Sequence, residues 1–373
     1  MYDEVYDDTL SEADMLAISQ SMSSSVLTTS TLGQEIATLS DHLWRQDVIE
    51  ADRQLKALAA AEPLLQSERV ILPDGYGSNI VVLTPDALLD TLTTLYTVLV
   101  TIFQETEIGE HYRPSPYAKR FLWAFASCAY LHEAGFHEPP TMSRQIAEQT
   151  VIDLNKRLTA WYQGLKQPDF AYECSRNRRN SGKNYQRLRH LVDALFARHS
   201  RMTVLRVDLG YTKFDGPYID YETARYHREQ LCLAFHSSQL FDHLIGYAWK
   251  LEWQPVKGFH YHFLFFFEGR QVQEDITQAR RIGEFWQHAI TGSQGRYYNC
   301  NLDAEGRYHY NAMGCIDYHD FEKQRGLDYI ARYLTKVDEY AAMLVTGRTF
   351  QTSSPSGSFF GPRPGRPRQY RRH

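Results

Sequence analysis

The sequence predicts an α+β fold built on an antiparallel sheet, preceded by a mostly helical domain over residues 1–165. Three observations predict it. The stretch Gly258 to Phe267 reads as a strand that is apolar on both faces, so it belongs in the middle of a sheet. From Met202 onward, strand-length and helix-length patterns alternate in the order β-α-β-β-α-β and then a helix. Upstream of residue 166 the apolar windows have helical length instead.

In the N-terminal part, Thr84-Pro85-Asp86-Ala87 is a helix start, with a capping hydroxyl and a proline in the first turn. The helix it opens covers Leu88 to Phe103, and a second runs from about Tyr117 to Leu131. Gly75–Ser78 and Glu138–Thr141 are turns. No catalytic constellation stands out over 1–165, which reads as an accessory domain. Residues 166–190 form a basic linker. Nine Lys or Arg fall between Lys166 and Arg201, with Tyr185 among them, and Ser175 to Asn184 reads as irregular, followed by a helix to about His199. A positive segment with an aromatic suits a phosphate backbone, and a solvated helix face equally.

The domain over 191–350 carries the sheet. Met202 to Leu209 alternates and is β-branched, hence a strand; Tyr221 to Phe235 is a helix. Leu244 to Trp253 is a strand turned by Pro255-Val256-Lys257-Gly258 into the next, as a hairpin. Ile276 to Ile290 is a helix. Gly295 to Asn301 and Arg307 to Ile316 are strands joined by a turn at 303–306, and Phe321 to about Val345 is helical. The order is that of a split βαβ sheet with helices on one side. Residues 351–373, rich in Ser, Gly, Pro and Arg, read as a disordered basic tail.

The 373 residues carry a net charge of −5, so global basicity announces no nucleic-acid partner. The charge is polarised, however, with six acids and no Lys or Arg in the first fourteen residues. Five scattered cysteines without Cys-x-x-Cys spacing suggest reduced thiols in a cytoplasmic protein. The acidic N-terminus lacks the apolar core of a secretory signal. Leu88 to Phe103, interrupted by Asp90 and threonines, is too short to span a bilayer, so a soluble protein without membrane contact is expected.

Two constellations carry chemistry. His260 and His262, at i and i+2 on a strand, project from the same face and make a pair of metal ligands. His-x-His alone also fits structural histidines. Glu252 adds a carboxylate, because a hairpin turning at 255–258 brings it beside them. Glu252 also fits an ordinary ion pair with Lys250 or Lys257. Two imidazoles and a carboxylate leave coordination positions open, and Mg²⁺ or Mn²⁺ would suit a phosphate substrate. Asp208 is a fainter ligand candidate. The second constellation is Tyr329, Tyr333 and Lys336, which share one face of the final helix. Tyrosine, with a pKa of about 10, is a poor nucleophile without a nearby cation, and Lys336 has the spacing to supply one or to hold a phosphate oxygen. Tyr-x-x-Lys also occurs in ordinary helices. Together the two motifs lay out an in-line attack on a phosphodiester, with Tyr333 displacing the 3′-side oxygen to leave a 5′-phosphotyrosine.

His-hydrophobic-His followed downstream by Tyr-x-x-Lys resembles the HUH endonucleases, which initiate rolling-circle replication or plasmid transfer. Residues from about Leu191 to Thr349 resemble more specifically the YagK/YfjJ C-terminal-domain family, the filamentous-phage (inovirus) gene-2-type replication proteins. The matching stretches are Leu195–Arg201, Val204–Leu209, Trp249–Glu252, Lys257–His262, Tyr333–Lys336 and Arg348–Phe350. The resemblance implies an HUH/Rep-type sheet, a metal at His260 and His262 with Glu252, and Tyr333 as nucleophile with Lys336. Tyr329 departs from it, fitting either the second tyrosine that some HUH replication proteins use for strand transfer or a core residue. It implies single-stranded origin DNA as substrate, contacted by Lys257, Arg332, Arg187 and Arg189. Host helicase and polymerase as partners, the bacterial cytoplasm and a prophage setting follow from it too. Tyr333 is expected to face the histidines across a basic cleft. Two alternatives stand beside this reading. Cupin-type metalloenzymes also use His-x-His followed by a Glu, here Glu268, but they are all-β. A domesticated or inactive prophage DNA-binding regulator would keep the fold without the chemistry.

Overall fold

The computed structural model describes residues 40–65, 70–71, 80–83, 87–137, 140–302 and 311–355. The helix start at 84–86, the turns at 75–78 and 303–306, the opening of the turn at 138–141, the strand start at 307–310, the acidic N-terminus and the tail from 356 lie outside them. The chain divides into two compact units. One holds the described residues up to Asn180 together with Val337–Leu344; the other holds Ser181–Lys336 and the residues from Val345.

The first unit is mainly helical, with α1 (Ser40–Ala61), α2 (Ala87–Gln104), α3 (Ile108–His111), α4 (Pro116–Ala124), α5 (Ala129–Phe136) and α6 (Arg144–Leu165). Two small sheets accompany them. Strands β1 (Val70–Ile71), β2 (Ile80–Leu83) and β4 (Met142–Ser143) form one, and β3 (Tyr112–Pro114) pairs with β10 (Ala341–Met343) in the other. The helix expected over Tyr117 to Leu131 is in fact two. The chain turns between them, where Ser127 takes a left-handed φ of 55° that ends helical geometry. Helix α2 is long and apolar enough to cross a membrane, against the expectation of too short a segment. Its Leu89, Leu92, Leu95, Tyr96, Leu99 and Val100 nevertheless pack with Phe121, Leu154 and Trp161 in the core of this unit.

Helix α7 (Pro168–Arg198) runs unbroken through Ser175–Asn184, the stretch expected to be irregular. Within that stretch Ser181 alone is buried, but Phe170 before it and Leu188, Leu191 and Leu195 after it are buried too, so the anchored flanks carry the helix through residues of low propensity.

The second unit is organised by β5 (Arg201–Tyr211), α8 (Tyr221–Ala234), β6 (Leu244–Gln254), β7 (Gly258–Glu268), α9 (Asp275–Phe285), β8 (Gly295–Asn299), β9 (Gly314–Asp317), α10 (Phe321–Lys336) and β11 (Phe350–Thr352). The strands lie in the order β11-β6-β7-β5-β8, with β9 also paired to β5, and every pairing is antiparallel. Strands β5 and β6 therefore run in the same direction on either side of β7. Strand β7 is buried from Gly258 to Phe267, as its all-apolar pattern requires. The expectation of helices on one side is corrected. On one face Phe235 packs edge-on against Phe263 and Phe265, and Trp286 against Tyr261. On the other, Leu191 and Leu195 of α7 approach Gly246 of β6, and α10 brings Tyr333 to Arg206 of β5. A second correction concerns the last helix. It ends at Lys336, followed by one 3₁₀ turn, because Ala341–Met343 pairs with Tyr112–Pro114 instead of continuing it.

Candidate metal and tyrosine site

The β6–β7 hairpin sets the metal candidates by register. Glu252 pairs with His260 and Lys250 with His262, while β5 places Asp208 opposite His262 from the other side. Cross-strand partners project to the same face, so all five share it. Glu252, His260 and His262 are buried, at 3%, 5% and 7% exposure. One ligand atom from each falls within 4.8 Å of the others.

Hydrogen bonds orient the two imidazoles. His262 lies between two carboxylates, its Nδ1 2.7 Å from Asp208 Oδ1 and its Nε2 2.8 Å from Glu252 Oε2. His260 Nδ1 is 3.1 Å from the Gly258 carbonyl oxygen, to which it can donate, and its Nε2 is 3.7 Å from Glu252 Oε2. Both Nε2 atoms therefore converge on one carboxylate, while both Nδ1 atoms have acceptors behind them. This is the support that metal-binding histidines use to fix tautomer and aim. The donor set fits a divalent cation, so a buried Glu252–His260–His262 group able to hold a metal ion is present; Asp208 stands behind His262 as its acceptor.

Burial lowers the His260 pKa and favours the neutral, ligating imidazole. For His262, burial works in the same direction, but the carboxylates of Asp208 and Glu252 outweigh it and raise the pKa. Burial would likewise raise the Asp208 carboxyl; Arg206 and His262 instead hold it well below the usual carboxylate range.

Arg206 is the residue the sequence reading missed. It is 3% exposed, with Nε 3.3 Å from Asp208 Oδ1 and Nη2 3.4 Å from His262 Nδ1. Its Cζ lies 5.9 Å from the centre of the Tyr333 ring. Tyr333 is thus on the histidine face of the sheet, with the guanidinium next to both groups. Tyr333 is 4% exposed, while Tyr329 and Lys336, on the same helix, are half-buried. A signal existed in the sequence: Arg206 and Asp208 are charged residues two apart on one face of an otherwise apolar strand. Lys250, read only as a partner for Glu252, is a second buried cation on this face.

The expected DNA contacts separate into two groups. Arg189 Nη1 and Arg332 Nε donate to Asp328 at 2.7 and 2.9 Å, and Tyr185 adds its hydroxyl at 2.6 Å. The Arg332 guanidinium also lies over the Tyr185 ring at 4.8 Å. These two arginines hold α10 against α7 and so set the helix that carries Tyr333. Arg187 is exposed on α7, and Lys257 sits in the hairpin turn just before Gly258. The span from α7 through β10 thus includes both constellations and the contacts that join them. Residues 170–343 match the YagK/YfjJ C-terminal domain family. The match takes in α7 from Phe170 onward, including the segment 170–190 expected to be a basic linker, and every residue of the metal and tyrosine constellations. No curated protein and no solved structure matches the chain.

Proposed function

We propose that the YagK/YfjJ-like segment is a metal-dependent, HUH-type single-strand DNA nickase and strand transferase that initiates rolling-circle replication of an inovirus or related prophage element. One observation carries the reading: a convergent Glu252–His260–His262 ligand set shares a sheet face with Tyr333, and Arg206 stands beside both. The strand order supports it as well. β5 and β6 run in the same direction on either side of β7, with α8 between them in the chain, the order that a split βαβ sheet would have.

A divalent cation, Mg²⁺ or Mn²⁺, bound by Glu252, His260 and His262 would polarise the phosphoryl oxygens of a DNA backbone linkage. The Tyr333 phenol oxygen forms the new bond to phosphorus and the bond to the 3′ oxygen breaks. The phenol proton is balanced by one gained at that oxygen, leaving a free 3′-hydroxyl and a 5′-phosphotyrosine. Arg206, fixed near the ring, favours negative charge developing on the attacking oxygen. Lys336 is placed three residues on to hold a phosphate oxygen, and Tyr329, one turn earlier, is a second acceptor for strand transfer. One phosphodiester is exchanged for another, so the product can be religated by reversal. Single-stranded origin DNA is the substrate, host helicase and polymerase act downstream, and the setting is the bacterial cytoplasm. The test incubates the full chain with a pool of random-sequence single strands and Mn²⁺ and looks for a denaturation-resistant protein–DNA adduct. The reading requires an adduct that disappears with EDTA and with His260→Ala. A regulator of the same fold would bind DNA and form none.

A further inference from the structure

We propose that Phe214 and Tyr218 form a platform on which bases of single-stranded DNA stack as the strand enters the site; this rests on the single-strand reading above. They are the two most exposed large aromatics among the described residues, at 84% and 88%. Exposing two such rings forgoes the burial that large aromatics ordinarily find, and neither stacks on another described aromatic.

The segment that carries them is held firmly. Thr212 N donates to Gln294 O at 2.8 Å, Gly216 N to Thr212 O at 2.8 Å, and Asp215 N to Thr212 Oγ1 at 3.1 Å; the Thr212 hydroxyl also bonds Asp215. At its far end Asp220 caps α8 through Thr223 N at 2.8 Å, and Ile219 is buried. The rings therefore stand on a preorganised turn, and little ordering is left for a ligand to impose.

The position connects this turn to the metal candidates. Gly216 and Gly258 touch backbone to backbone: a Cβ on Gly258, whose φ is +63°, would meet the Gly216 oxygen at 2.2 Å. Gly258 O is itself an acceptor for His260 Nδ1. Two glycines thus let the loop lie directly on the strand that holds the ligands, two residues from the first of them. Lys213 in this segment and Lys257 beside Gly258 offset the carboxylates of Asp215 and Asp220, which are engaged by the Thr212 hydroxyl and the Thr223 N–H. Two exposed rings fit a ligand with free π-faces, which describes the bases of a single strand and not a duplex, whose bases are already stacked.

The experiment measures fluorescence anisotropy of a labelled oligothymidylate of about twelve nucleotides, a length within the range of single-strand sites, with the full chain in EDTA. The double variant Phe214→Ala/Tyr218→Ala is expected to weaken binding about tenfold or more. Phe214→Trp/Tyr218→Trp retains it, and an abasic strand of equal length binds the wild-type chain as weakly as the double variant binds thymidylate. Equal binding of thymidylate by wild type and the alanine variant overturns the inference, as does an equal loss by that variant on the abasic strand; a protein-docking role gives the first of these results. Because the measurement needs no metal, the two readings fail separately. A chain that forms the adduct while its loop variant binds normally refutes only the platform, and one that stacks bases without forming an adduct refutes only the nickase.

Discussion

The guanidinium of Arg206 lies 5.9 Å from the centre of the Tyr333 ring while its Nε is 3.3 Å from Asp208, the carboxylate behind His262. One buried cation thus touches both halves of the candidate site. It balances the acids around the histidines and sits beside the tyrosine.

Removing that cation should therefore be felt twice. Arg206→Met leaves Asp208 without its main counter-charge and is expected to cost about 3 kcal/mol, read as a lowered Tm. It should also slow adduct formation more than Arg206→Lys does. An Arg206→Met variant as stable and as active as wild type would remove Arg206 from the account.

The acceptor behind His262 should tune metal affinity without being a ligand. Asp208→Asn is expected to weaken Mn²⁺ binding roughly 10–100-fold, whereas His260→Ala abolishes it at micromolar metal. Titration calorimetry on the full chain separates the two. Mn²⁺ should stabilise the wild-type chain by about 2.7 kcal/mol at a hundredfold excess over Kd, read as a raised Tm.

Much of this site was legible because its geometry is local. A strand's two-residue period places His260 with His262, and a short turn fixes the register that brings Glu252 opposite. Arg206 was not legible as a link, because its role depends on β5 lying beside β7 and on α10 packing over that face, contacts more than fifty residues apart in the chain. The same limit explains Ser175–Asn184 and Ala341–Met343. The first is helical against its propensity because buried residues on either side carry the helix through it, and the second becomes a strand because Tyr112–Pro114 offers it an edge.

The Asp328 knot sets the acid stability of the tyrosine helix. Burial would raise this carboxyl, but the Tyr185, Arg332 and Arg189 donors outweigh burial and lower its pKa. A depressed folded-state value stabilises fully above the unfolded pKa of about 3.9 and is lost as pH falls through the folded one. Asp328→Asn should therefore lower Tm at pH 7, and the gap to wild type should close below about pH 4. A gap that stays constant down to pH 2 would show that the carboxylate charge contributes nothing.

The hairpin turn should tolerate no side chain at Gly258. Gly258→Ala combines a left-handed φ with a collision against the Gly216 carbonyl, and it is expected to destabilise by about 1–3 kcal/mol. Metal affinity should fall with it, since the Gly258 carbonyl oxygen faces His260 Nδ1. Unchanged Mn²⁺ affinity in a folded Gly258→Ala chain would show that this carbonyl does not aim the imidazole.

The central claim is that one phenol on α10 takes the DNA backbone onto itself. Peptide mass spectrometry of the nuclease-trimmed adduct tests it most directly. The account predicts a nucleotide 5′-phosphate on Tyr333, with no adduct from Tyr333→Phe on the first cleavage. A first-cleavage nucleotide carried by a side chain other than Tyr333, or an undiminished adduct from Tyr333→Phe, would contradict it.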